Sequence, residues 1–270
     1  MITYRKGLLS IGELWFEEDP DRTPVDIVCY RFRTTPVDES LCVDFHTICV
    51  DLQQDEQQLH SNFKKYTQYE IRRAGNTDDL NYEFYTGNAC QNVLKDFVNF
   101  NASFASQRRL VATKYARWEL LADSAVLDIS RVSKDGEVLV YHAFYRGHNR
   151  VQLLASPSHF RDNKDSAYRN FVGRAHRWQH WRDMLRYKAD GVTIYDFGGW
   201  YVNETDPAKI GVNKFKEEFG GKVVRNFICK RAVSAKGVLA LQIEKYFRQL
   251  SPRKLPDSLK QIPAADLQES

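Results

Sequence analysis

Residues 192–200 read VTIYDFGGW and residues 210–224 read IGVNKFKEEFGGKVV. The first is a run of β-branched and aromatic residues ending in two glycines, the pattern of a buried strand that enters a sharp turn. Downstream, Pro207 can open a helix that runs through FKEEF to Gly220-Gly221, and KVVRNFICKRAV (222–233) reads as a further strand. Upstream, a helix from Ser166 to about Lys188 is ended by Asp190-Gly191, and VQLLAS (151–156) reads as a strand. VLDISRVS (126–133) and EVLVYHAFYR (137–146) form a hairpin around Lys134-Asp135-Gly136. Leu94, Phe97, Val98 and Phe104 mark one helix, and Tyr115, Trp118 and Leu121 mark another. From Ala89 onward the order is therefore α, α, β, β, β, long α, β, α, β. Such mixing predicts an α/β (α+β) domain, a mixed sheet flanked by helices.

Before Ala89 the chain reads as strands first: GLLSIGELWF (7–16), VDIVCYRF (25–32) and LCVDFHTICVDL (41–52). A helix follows, with Leu59, Phe63, Tyr66 and Ile71 near helical spacing and Gly75 as its stop, then a polar loop around 76–81. This division predicts a strand-rich N-terminal lobe over 1–88, a main domain over 89–233, and a C-terminal helix and tail over 234–270. The tail is expected to fray after Pro252.

With 270 residues and 43% hydrophobic content the chain can build a sizeable core. Mean hydropathy is −0.54, and no apolar run approaches the roughly 20 residues that cross a bilayer. MITYRKGLLSIGELWFEE, the first 18 residues, is too broken in its apolar stretch to read as a signal peptide. Cys29, Cys42, Cys49, Cys90 and Cys229 are scattered and form no CxxC pair, which predicts reduced thiols, no disulfide, no structural zinc and a cytoplasmic location. Charge is uneven: residues 1–110 carry a net −5 and residues 111–270 a net +9. The basic half fits either a phosphate-bearing partner or a surface of solvated charged helices.

Tyr195-Asp196-Phe197-Gly198-Gly199, followed by Phe215-Lys216-x-x-Phe219-Gly220, resembles the C-terminal signature of the Fem-type aminoacyltransferases and their GNAT-like relatives. Asp51-Leu52 and, after an acidic spacer and helix, Ile71-Arg72-Arg73-Ala74 resemble a second segment of that family. The resemblance spans roughly residues 45–230 and implies a GNAT-like mixed sheet with a reduced N-terminal lobe. It also implies N-acyl transfer to an amine-bearing acceptor, such as an amino sugar or cell-envelope precursor. The donor would be acyl-CoA or aminoacyl-tRNA, with no permanently bound cofactor and with tRNA as a partner. Family members that modify peptidoglycan carry two full domains, whereas this chain has room for one and a reduced second.

Acyl transfer needs a neutral amine, donors for the developing oxyanion, and a proton for the leaving group. In a GNAT-like sheet the site lies where two central strands part, here between 151–156 and 192–197. Lys216 is either, as the resemblance implies, the cation at that site with Phe215 and Phe219 holding its stem, or an exposed lysine facing Glu217 or Glu218. Asp196, an acid in an apolar strand, either holds the attacking amine or caps the glycine turn, and Gly198 and Gly199 either admit a ligand or simply turn the chain. Tyr195, Asp196 and Lys216 are expected to converge on one concave site. His142 is a candidate base or a core residue. Asn170-x-x-Gly173-x-Ala175 resembles a degenerate GNAT pyrophosphate loop, with Arg174 and neighbouring arginines as phosphate contacts. Arg72 and Arg73 are substrate-binding candidates through their motif. His176 and His180 share a helix face, but without an HExxH pattern they are not read as metal ligands. His180 with Asp183 is an oriented base or a surface pair. No GxSxG or Cys/His signature marks a covalent nucleophile. The alternative class is a non-catalytic protein that keeps this fold to hold a nucleotide or nucleic acid.

Overall fold

The computed structural model describes residues 1–21, 23–159 and 165–250; the tail after Pro252 lies outside them. Four strands come first: β1 (Ile2–Lys6), β2 (Leu9–Trp15), β3 (Ile27–Arg33) and β4 (Leu41–Asp51). The helix expected next is two, α1 (Glu56–Ser61) and α2 (Lys65–Thr77), because the chain turns at Asn62–Lys64. Asp55 caps α1 by accepting from the Gln58 N–H. Gly75 does not stop α2; it lies inside the helix, where a Cβ would stand 3.3 Å from the Trp178 indole. The stretch after the polar loop is a strand, β5 (Asn81–Thr86), which alternates Tyr82 and Phe84 inward with Glu83 and Tyr85 opposite.

The remaining elements follow the expected order. They are α3 (Gln91–Gln107), α4 (Tyr115–Asp123), β6 (Leu127–Lys134), β7 (Glu137–Arg146), β8 (Arg150–Ala155), α5 (Ser166–Ala189), β9 (Ile194–Gly199), α6 (Pro207–Glu217), β10 (Lys222–Ala232) and α7 (Ala235–Leu250). Asp165 caps α5, and Asp206 caps α6 with Pro207 in its first turn.

The strands form one ten-stranded sheet in the order β1-β2-β3-β10-β4-β9-β8-β7-β6-β5. β2–β3 and β8–β9 are parallel and the other neighbours antiparallel. β10 inserts between β3 and β4, and β4 lies against β9, so the strands of 1–88 and 89–233 share hydrogen bonds across one sheet. α3 and α4 cover one face over Phe97, Trp118, Leu127 and Ile129, and α5 covers the other over Phe144, Val151 and Tyr195. Glu13 on β2 is fully buried and binds Arg31 and Arg117, which ties the first strands to α4.

The cysteine expectation is corrected. Cys42 on β4 and Cys229 on β10 are direct partners across the antiparallel pair, with Cα atoms 4.0 Å apart, and are joined by a disulfide. They are 187 residues apart, so only the insertion of β10 beside β4 brings them together. Cys29, Cys49 and Cys90 are free thiols. The premise of reduced cysteines, on which the cytoplasmic location rested, is thereby removed. No helix among the described residues is long and apolar enough to cross a membrane.

Candidate functional site

β8 and β9 run side by side through Arg150–Ile194, Val151–Tyr195 and Gln152–Asp196, and there the pairing ends. β8 continues to Ala155 and β9 to Gly199, so the two strands part beyond Asp196, where the parting was expected. Across the next pair, Gly199–Thr47, the Trp200 N–H donates to the His46 carbonyl. That makes Gly199–Thr47 a non-hydrogen-bonded pair, so the Gly199 carbonyl points away from β4 and into the opening left by β8. The Lys216 Nζ fills this place, donating to the Gly199 oxygen at 2.5 Å. Lys216 is 6% exposed, and burial pushes its pKa down to about 8, partly offset by the Asp196 carboxylate. Phe215 and Phe219 hold the helix that carries it against the α5 face.

Asp196 is committed. Its Oδ2 accepts from Arg150 Nη2 at 2.5 Å and Nε at 3.2 Å, and its Oδ1 accepts from the Gly198 N–H at 2.7 Å. Gly198 has φ +73°, a conformation that glycine adopts without strain. Arg150 continues to Asn226 and Thr47, which gives a buried polar network on the side of the sheet away from α5. Neither Arg150 nor the network was anticipated from the sequence. Gln152 at the last paired position was also missed; it is fully buried, and neither of its amide atoms has a partner. A glutamine inside the apolar run VQLLAS was the available signal.

Tyr195 is adjacent to Asp196 and so faces the opposite way, toward α5. Its hydroxyl lies 2.8 Å from His180 Nδ1. The structure thus brings Lys216 within electrostatic reach of both Asp196 and His180, but it sets Tyr195 and Asp196 on opposite faces of β9. The surface reading of His180 and Asp183 is overturned, because both are fully buried. Asp183 pairs not with His180 but with His142, at 2.6 Å from Oδ2 to Nδ1, and Tyr82 donates to its other oxygen at 2.8 Å. Burial pushes the Asp183 pKa up to about 8 and all three of His142, His176 and His180 well below the usual imidazole range.

The remaining candidates lie elsewhere. Asn170, Gly173 and Ala175 are inside α5, beyond its first turn, where backbone N–H groups bond within the helix. Arg174 is bound to Asp78 and Glu70, and Arg177 to Glu218. Arg72 and Arg73 are exposed on α2.

No protein-family description matches the chain by sequence, and no curated protein matches it. Its architecture does have counterparts among solved structures. FemX superposes with a TM-score of 0.57 at 11% identity over 73% of this chain. The chain spans 63% of the FemX length. The C-terminal domain of a putative lysylphosphatidylglycerol synthetase from Agrobacterium fabrum superposes with a TM-score of 0.50 at 10% identity, over 80% of this chain and 71% of that one. The chain shares the fold of FemX, and at these identities the likeness concerns the architecture alone.

Proposed function

We propose that the chain is an N-acyltransferase that moves an acyl or aminoacyl group from an activated carrier to an amine. The observation that carries this reading is the parting of β8 and β9, with a dehydrated Lys216 ammonium in the opening. In the reaction the neutral amine attacks the carrier carbonyl, a C–N bond forms, and the carbonyl electron pair moves onto oxygen. The bond to the carrier oxygen or sulfur then breaks, and the carrier leaves with the proton that the amine gives up. An ammonium out of water stabilises the oxyanion far more than a solvated one. Lys216 now donates to a carbonyl oxygen, Gly199 O, and an acyl oxygen entering the opening would meet the same donor. The unpaired Gln152 amide is a second polar group for the substrate. Asp196, held by Arg150 and the Gly198 N–H, acts in this reading as a positioning residue that fixes the glycine turn.

Asn170–Ala175 lie past the first turn of α5, so those amides are not the ones that would cradle a pyrophosphate, and both acyl-CoA and aminoacyl-tRNA are retained as donors. An amino sugar or the amine of a cell-envelope precursor is the acceptor class we propose. A thermal-shift comparison of a non-hydrolysable aminoacyl-tRNA analogue, uncharged tRNA and acyl-CoA tests the donor. Binding to the native state at 100 times Kd adds about 2.7 kcal/mol. The charged analogue should shift the transition more than uncharged tRNA. Equal shifts would instead favour a non-catalytic nucleic-acid-binding protein on this fold.

A further inference from the structure

The face of α5 pressed against the sheet carries histidine where a core helix carries aliphatic side chains. His176 and His180 are one turn apart on it, and His142 of β7 stands opposite. Ring centroids are 4.2 Å apart for His142–His180, 4.8 Å for His176–His180 and 4.9 Å for His142–His176. One ring nitrogen from each lies within 4.8 Å of those of the other two. The Nε2 atoms of all three are buried and have no hydrogen-bond partner. A buried ring nitrogen left unpaired is unfavourable, and three at one point call for a single group that satisfies them together.

The outer nitrogens of two rings are already oriented. Asp183 engages His142 Nδ1 and is itself held by Tyr82, while the Tyr195 hydroxyl engages His180 Nδ1. Where Asp183 Oδ2 and the Tyr195 hydroxyl accept from the Nδ1–H groups, the Nε2 lone pairs are left free for a metal. Aromatic rings close around the trio, with Phe215 5.0 Å from His176 and Phe197 4.8 Å from His180.

We propose that His142, His176 and His180 bind one divalent transition-metal ion of the zinc class through their Nε2 atoms, with Asp183 and Tyr195 as positioning residues. A nitrogen-only donor set suits zinc, cobalt, nickel or copper and disfavours magnesium and calcium. Metal–nitrogen bonds of about 2.0–2.1 Å in a tetrahedron set the nitrogens about 3.3 Å apart. Side-chain rotation of roughly 1 Å per ring closes the trio to that spacing, with the backbone in place. Three protein ligands leave one position for water or a substrate oxygen. The site stands whether or not the chain transfers acyl groups.

The test uses the untagged full chain, stripped with a chelator and titrated with Co²⁺ and with Zn²⁺. Metal content per chain and the visible spectrum of four-coordinate cobalt are the readouts, and circular dichroism checks the fold. One ion per chain is expected for the wild type. His176→Gln, at the least buried of the three rings, should lose the cobalt spectrum while keeping the fold. Asp183→Asn should weaken metal affinity roughly 10–100-fold. Should His142→Gln fail to fold, His176→Gln still carries the comparison. A wild type that takes up no more metal than His176→Gln would overturn the site, as would a full cobalt spectrum retained in that variant.

Discussion

Lys216→Met should make the protein more stable at neutral pH and less so, relative to wild type, as pH rises. The ammonium is buried with a hydrogen bond to Gly199 O, and burial lowers its pKa from the ordinary 10.5 to about 8. At 1.36 kcal/mol per pKa unit, holding the charge in the fold costs about 3 kcal/mol at neutral pH. Methionine removes that cost but leaves the Gly199 carbonyl unpaired, a loss of about 1–3 kcal/mol, so the net gain is about 1 kcal/mol. Because the folded-state pKa is lowered, the unfolded chain binds more protons between pH 8 and 10.5, and wild-type stability rises with pH in that window. The advantage of Lys216→Met should therefore shrink by about 2 kcal/mol from pH 7 to pH 9.5. Urea unfolding of both proteins at the two pH values reads this directly, since other titrating groups cancel in the difference. A difference independent of pH would refute the dehydrated ammonium and, with it, the reason for assigning Lys216 to the oxyanion.

Three further outcomes follow from the buried contacts. Asp196→Asn leaves Arg150 buried without its carboxylate and should cost about 3–5 kcal/mol of stability, measured by urea unfolding; an unchanged midpoint would mean that the pair is solvated. Non-reducing mass spectrometry should find three alkylatable thiols after unfolding, and Cys42→Ser should lower stability by about 2–4 kcal/mol; five free thiols in the oxidised protein would contradict the disulfide. Gly220→Ala forces a side chain into φ +69° and places its Cβ 2.6 Å from the Asn62 carbonyl oxygen, so it should lower the thermal midpoint by several degrees through a loss of about 1–3 kcal/mol; a wild-type midpoint would show that the junction relaxes freely.

The order of elements after Ala89 was legible because each carries a local signal: the Asp135-Gly136 turn, Pro207 at a helix start, and Gly191 after a helix end. Asp196 was legible as an acid in an apolar strand. What escaped was long-range. Nothing local says that β10 inserts between β3 and β4, and the Cys42–Cys229 disulfide is a consequence of that insertion. The face of α5 was misjudged for another reason. Phe171, Ala175, Trp178, Trp181 and Leu185 recur at helical spacing and read as an apolar stripe, but of these only Ala175 is fully buried and the other four are partly buried. The line that meets the sheet runs through Val172, Ala175, Gln179, His180, Asp183 and Met184, where polar residues hide the helical period. β5 escaped because its two inward residues, Tyr82 and Phe84, are too few to show an alternation.

In our proposal the opening between β8 and β9 is an acyl-transfer site run by Lys216. Its most direct test is single-turnover mass spectrometry of amide formation, with aminoacyl-tRNA or acyl-CoA as donor and a panel of amino sugars and cell-envelope amines as acceptors. The wild type should yield an N-acylated acceptor, and Lys216→Met, folded at neutral pH, should form it slower by about 2–4 kcal/mol of barrier. Amide formed by Lys216→Met at the wild-type rate would contradict the account.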